Sequence, residues 1–153
     1  MFDTHVDTMY VWVAVGAVSV AVFGIVAQSP TTAPPDGAGV ATTIDEVATS
    51  PPGSVTTREL SAAEWSVTAR QVGLRSETGT VHETLSQSVV PAVEGPLVAV
   101  LDGTDPSDVF DSPAAFRRAT ESAQAARERW RPAPDHMTVR HVAWGGVDVT
   151  LVG

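Results

Sequence analysis

Residues 111–152 read DSPAAFRRATESAQAARERWRPAPDHMTVRHVAWGGVDVTLV, and the punctuation of that stretch predicts the fold class. Asp111-Ser112-Pro113 is a helix start. Ser112 is placed to accept a backbone N–H as the cap, and Pro113 falls in the first turn, where its missing N–H costs nothing. Phe116, Ala119, Ala123, Ala126 and Trp130 follow 3-4-3-4 spacing, one buried face of a helix running to about Trp130. Pro132 and Pro134 stop it. Met137 to Trp144 and Val147 to Val152 are strand-like, and Gly145-Gly146 between them permits a two-residue hairpin turn. In the last run Val147, Val149 and Leu151 point one way, and Asp148, Thr150 and Val152 the other.

Towards the N-terminus, Leu97 to Leu101 is a short apolar run bounded by Gly95-Pro96 and Asp102-Gly103. It fits a buried strand or a buried helical turn, and periodicity does not separate the two. Ser66 to Leu74 and Thr80 to Leu85 read as strands, joined as a hairpin through the turn Ser76-Glu77-Thr78-Gly79. The order strands, helix, strands predicts an α+β domain over residues 54–153, antiparallel strands with one main packed helix. Residues 28–53 read as a Pro/Thr-rich spacer. It opens QSPTTAPPDG, then places Val40, Ile44 and Val47 at i, i+4 and i+7 on a short amphipathic helix, and ends at Ser50-Pro51-Pro52-Gly53.

Ahead of the spacer, behind a tail of residues 1–8, every residue from Met9 to Ala27 is apolar except Gly16, Ser19 and Gly24. A helix of that length spans roughly 28 Å, close to a bilayer's hydrocarbon core. An N-terminal transmembrane helix is therefore expected over residues 9–27, in contact with the lipid bilayer and retained as a single-pass anchor. The rival is a cleaved signal peptide, but Asp3, His5 and Asp7 stand where a basic n-region belongs. Ala14, Ala17, Ala21 and Gly24 form a small-residue stripe suited to helix packing against a partner. No arginine lies within reach of the run, so charge does not set its orientation. The spacer favours the C-terminal domain outside the cell membrane.

The chain has 153 residues, room for one core, with 18 acidic and 9 basic residues and a formal charge of -9. All nine basic residues are arginine, and cysteine is absent. Disulfides, thiolate metal sites, cysteine nucleophiles and Schiff-base lysines are excluded. An acidic balance also argues against nucleic acid as a partner, since phosphates would be repelled. Acidity with arginine as the sole cation suits high salt, where screening shortens self-repulsion to about 3 Å at 1 M.

Candidate chemistry is sparse. Asp102, Asp105, Asp108 and Asp111 recur every third residue, and with His136 they could offer oxygen and imidazole ligands to a metal. The same aspartates suit turns and helix starts. His136 and His141 are five apart and face opposite sides of a strand, so they do not share a metal. No nucleophile elbow or phosphate loop occurs, and no cofactor is expected. Arg117, Arg118, Arg127 and Arg131, with Arg129, crowd the predicted helix. They could present an interaction face to an acidic partner or to anionic lipid, or form a solvated face with Glu121 and Glu128.

The segments MFDTHVDTMYVWVAVGAVSVAV, GPLVAVLDG, DVFDSPAAF and WGGVDVTLVG resemble a small family of uncharacterised haloarchaeal membrane-anchored proteins, each a domain of unknown function. The resemblance carries no catalytic residues, and its layout is similar to accessory parts of pilus-like or secretion machinery. The expected function is a non-enzymatic, single-pass membrane-anchored envelope protein, an interaction or structural module whose protein partner is met through the membrane helix or the arginine-bearing helix. The alternative is a membrane-tethered metal-binding or hydrolytic domain using the Asp102–Asp111 segment.

Overall fold

Asp36 opens the first helix, α1 (Gly37–Thr49), by accepting the Gly39 N–H at 2.9 Å. Val40, Ile44 and Val47 then bury one face of it. The structure is a computed structural model and describes residues 33–153. After α1 come β1 (Val55–Glu59), β2 (Glu64–Val67), β3 (Gln71–Ser76), β4 (Gly79–Thr84) and β5 (Val90–Pro91). Three helices follow, α2 (Leu97–Leu101), α3 (Pro106–Val109) and α4 (Pro113–Gln124), then β6 (Arg131–Pro132), β7 (His136–Trp144) and β8 (Val147–Val152). Residues 34–153 form one compact unit.

The strands make two four-stranded sheets, β1-β7-β8-β5 and β4-β3-β2-β6. The second is antiparallel throughout. In the first, β5 runs parallel to β8, because three helices and two strands intervene and supply the long crossover a parallel pair needs. The β7–β8 hairpin turns at Gly145 (φ +55°) and Gly146 (φ +80°). Positive φ at both central residues is the geometry that matches the strand twist.

The hairpin carries a core on each face. On one side Met137, Val139 and Val152 meet α1 (Ile44, Val47) and the second sheet (Trp65, Val72, Leu74). On the other, Val142, Val147 and Leu151 meet Leu97, Val100, Leu101 and Phe116 of α2 and α4. At its end both faces of β8 are closed, with Thr150, Leu151 and Val152 all buried.

Several expectations are corrected. The α+β class stands, but it holds two sheets and four helices among the described residues instead of one main helix. The fold carries no transmembrane helix there: no described helix is long and apolar enough to cross a membrane. The longest, α1, has 13 residues, about 20 Å, and is amphipathic. The apolar run of residues 9–27, with Ala14, Ala17, Ala21 and Gly24, lies outside the described residues. The helix placed in a spacer is instead a core element, since Ile44 is wholly buried. Asp45 further ties it to the domain by accepting the Ser86 and Gln87 N–H groups. The single strand expected from Ser66 to Leu74 is two, folded back where the Thr68 N–H donates to Gln71 O at 2.9 Å. Leu97 to Leu101 is the helical turn of its two alternatives. The Ser112 helix ends at Gln124, six residues short of Trp130.

Candidate functional site

That early end creates the most distinctive surface. Beyond α4 the chain turns at Ala125-Ala126 and reaches β6 without regular structure, and residues 127–131 make contacts on two alternating sides. Arg127, Arg129 and Arg131 go to one side and line a cleft of about 70 Å³. The rest of its lining is mainly apolar: Trp65 and Val67 of β2 with Ser66 between them, Pro91 of β5, Val93, Ala123 of α4 and Ala126 just beyond that helix. Glu94 is the one acid on the rim, with a carboxylate oxygen 3.0 Å from a guanidinium nitrogen of Arg131.

Glu128 and Trp130 go to the other side and fasten the segment to the second sheet. The Ser66 hydroxyl donates to the Glu128 carboxylate at 2.9 Å, and His82 Nε2 lies 3.4 Å from the same oxygen. The Trp130 ring meets His82 edge-on, with centroids 5.4 Å apart. The guanidinium of Arg75 sits 4.1 Å above the Trp130 ring while donating to Glu64. Gly73 makes room, for a Cβ there would lie 2.8 Å from Trp130 Cη2 and 2.6 Å from Ser66 Oγ. Ser66, Glu128 and His82 do not form a nucleophilic triad. The carboxylate accepts the serine's hydrogen bond, whereas such chemistry needs the imidazole against the hydroxyl.

The predicted site residues separate. Arg127, Arg129 and Arg131 meet at the cleft. Arg117 and Arg118 lie exposed on α4 and do not line it. Glu94, thirty-seven residues from Arg131 in sequence, was not legible as a neighbour. Asp105 caps α3: its carboxylate accepts from the Ser107 hydroxyl at 2.6 Å and the Ser107 N–H at 2.8 Å. Those bonds, the hydroxyl's first, hold its carboxyl below the ordinary value. Asp108 stands in the first turn of α3. Asp102 and His136 border a common groove with Arg131 and Gly153. Among the described residues no three histidines or carboxylates converge where a metal ion could be held. His141 is buried and bridges the Ser50 carbonyl to the Asp148 carboxylate, fastening the end of α1 to β8.

Residues 3–142 match the Family of unknown function (DUF7283). The chain belongs to DUF7283. The match takes in α1 through most of β7 and so includes every residue of the arginine cleft. It stops before WGGVDVTLVG, one of the segments that carried the sequence resemblance. As a DUF7283 member the chain is shown to be an uncharacterised domain, and the haloarchaeal and membrane-anchored parts of that resemblance go beyond the family match. No curated protein and no solved structure matches it.

Proposed function

We propose that this DUF7283 chain is a non-enzymatic interaction module of the cell envelope, working at the membrane in a salt-rich cell as an accessory to a larger, pilus-like or secretion assembly. One observation carries the interaction reading: three arginines on alternate residues, in a chain of charge -9, converge on a single apolar-floored cleft. Guanidinium groups beside apolar walls are the composition of protein contact sites, where arginine is enriched. The envelope setting is supported by sequence, through the uncharged run of residues 9–27. The salt-rich setting is supported by the acid excess balanced only by arginine.

The test is site-specific photo-crosslinking in living cells at native salt. A photoreactive residue at position 129 is expected to give a discrete heavier adduct in the membrane fraction, and the same residue at Glu77, an exposed turn on the second sheet, none. Equal labelling at both positions, or none at 129, refutes the interaction face. Recovery of the whole chain in the soluble fraction refutes the membrane setting.

A further inference from the structure

We infer that the arginine cleft receives a carboxylate side chain from an extended acidic segment of a partner protein, and that Glu94 holds part of the same site in the free molecule. The inference rests on the interaction reading above and names the partner's chemistry. Acids outnumber arginines 18 to 9 in this chain, and Arg58, Arg75 and Arg131 each take a carboxylate. Arg127 and Arg129 take none among the described residues, although both stand at the cleft. Their guanidinium groups present planar donor forks that match a carboxylate.

Glu94 shows what the rim accepts. Its carboxylate lies on Arg131, yet its side chain is 69% exposed, so it can swing into solvent when another carboxylate arrives. The cleft's size limits the guest. About 70 Å³ is roughly half of a cavity that takes one benzene, which is ~150 Å³. That space admits a carboxylate and its methylene stem, not a nucleotide or a sugar. Trp65, Val93 and Ala123 would cover the stem, while Arg127 and Arg129, exposed at the rim, meet the charge. The arginines are held ready, because Glu128 and Trp130 fix their backbone on the second sheet before any ligand comes. A cleft this small favours a single side chain projecting from a protein over the broad plane of headgroups that a bilayer presents.

The experiment uses the full chain and a fluorescent peptide alternating glutamate with alanine, read by anisotropy. The glutamine version of the peptide, inorganic phosphate and phosphatidylglycerol vesicles are the rival probes. The glutamate peptide is expected to bind and the glutamine peptide not. Arg129→Gln should weaken binding about tenfold, the effect of one charge-assisted hydrogen bond. Glu94→Gln should tighten it about threefold by removing a competing like charge. Arg70→Gln, an exposed arginine away from the cleft, should change nothing and shows that a lost charge alone is not the cause. Unchanged affinity in Arg129→Gln, or displacement of the peptide by phosphate or vesicles at equal anion concentration, overturns the inference. Crosslinking at position 129 without peptide binding overturns the carboxylate guest and leaves the interaction face standing; loss of both overturns the two together.

Discussion

Gly73 shows how much can hang on one missing atom. It lies mid-strand in β3, where glycine normally weakens a sheet by leaving nothing to pack. Here the gap is filled from outside by Trp130, and a methyl group would sit 2.8 Å from that ring and 2.6 Å from the Ser66 hydroxyl. Gly73→Ala should therefore push out Trp130, release Glu128 from Ser66 and cost about 1–3 kcal/mol by overpacking. Urea unfolding measures the cost, and a red-shifted emission from a variant keeping Trp130 as its sole tryptophan reports the displacement. An alanine variant as stable as the parent, with unchanged emission, would contradict this account. Asp105 allows a second test at the same scale. Its folded-state value is lowered by the Ser107 hydroxyl and N–H, so ionisation favours the folded form. That support is full above the ordinary aspartate value and fades as pH falls through the lowered one. In an NMR titration the Ser107 amide should shift across that acidic window in the parent. In Asp105→Asn, which keeps an acceptor oxygen without a titrating proton, it should stay flat.

At the scale of elements, two features were legible because the letters admit one geometry. Gly145-Gly146 supplies positive φ twice in succession, and Ser112-Pro113 caps and opens α4 as read, the hydroxyl accepting the Ala115 N–H at 3.2 Å. Ser112→Ala should cost about 1 kcal/mol, seen as a lower thermal midpoint, while Ser112→Asp should hold it. The end of α4 was not legible. Ala123, Ala126 and Trp130 satisfy a helical period, and Arg127, Arg129 and Arg131 satisfy a strand period, in the same nine letters. What decides is tertiary: Trp130 gains a seat on Gly73 only if the helix stops first. The break between β2 and β3 was hidden for a related reason. Its turn uses Thr68, Ala69 and Arg70, with no glycine or proline to mark it, and is closed by the Thr68 N–H and hydroxyl on Gln71 O. The candidate site inherited the first of these errors. A helical reading grouped Arg127, Arg129 and Arg131 with Arg117 and Arg118, whereas in the structure the first three line the cleft and the other two do not.

For the whole molecule, the governing fact is that one hairpin serves two cores. Met137, Val139 and Val152 belong to the first, Val142, Val147 and Leu151 to the second. Neither core can dissolve without exposing one face of β7–β8. The cleft reinforces the link, since it draws Trp65 from the first core's sheet and Ala123 from the helix over the second. Unfolding of residues 34–153 should therefore be a single transition. Ile44→Ala, wholly buried in the first core, should cost about 2–5 kcal/mol, and Phe116→Ala in the second about 3–5 kcal/mol. Each should move one common midpoint. The readout is tryptophan emission in variants retaining only Trp65 or only Trp144, which report the first and second cores respectively, set beside far-UV circular dichroism. Three coincident urea curves, displaced together by either alanine, are expected. If Phe116→Ala moved the Trp144 curve and left the Trp65 curve in place, the cores would be separate folding units, and the hairpin would not be the shared wall its burial implies.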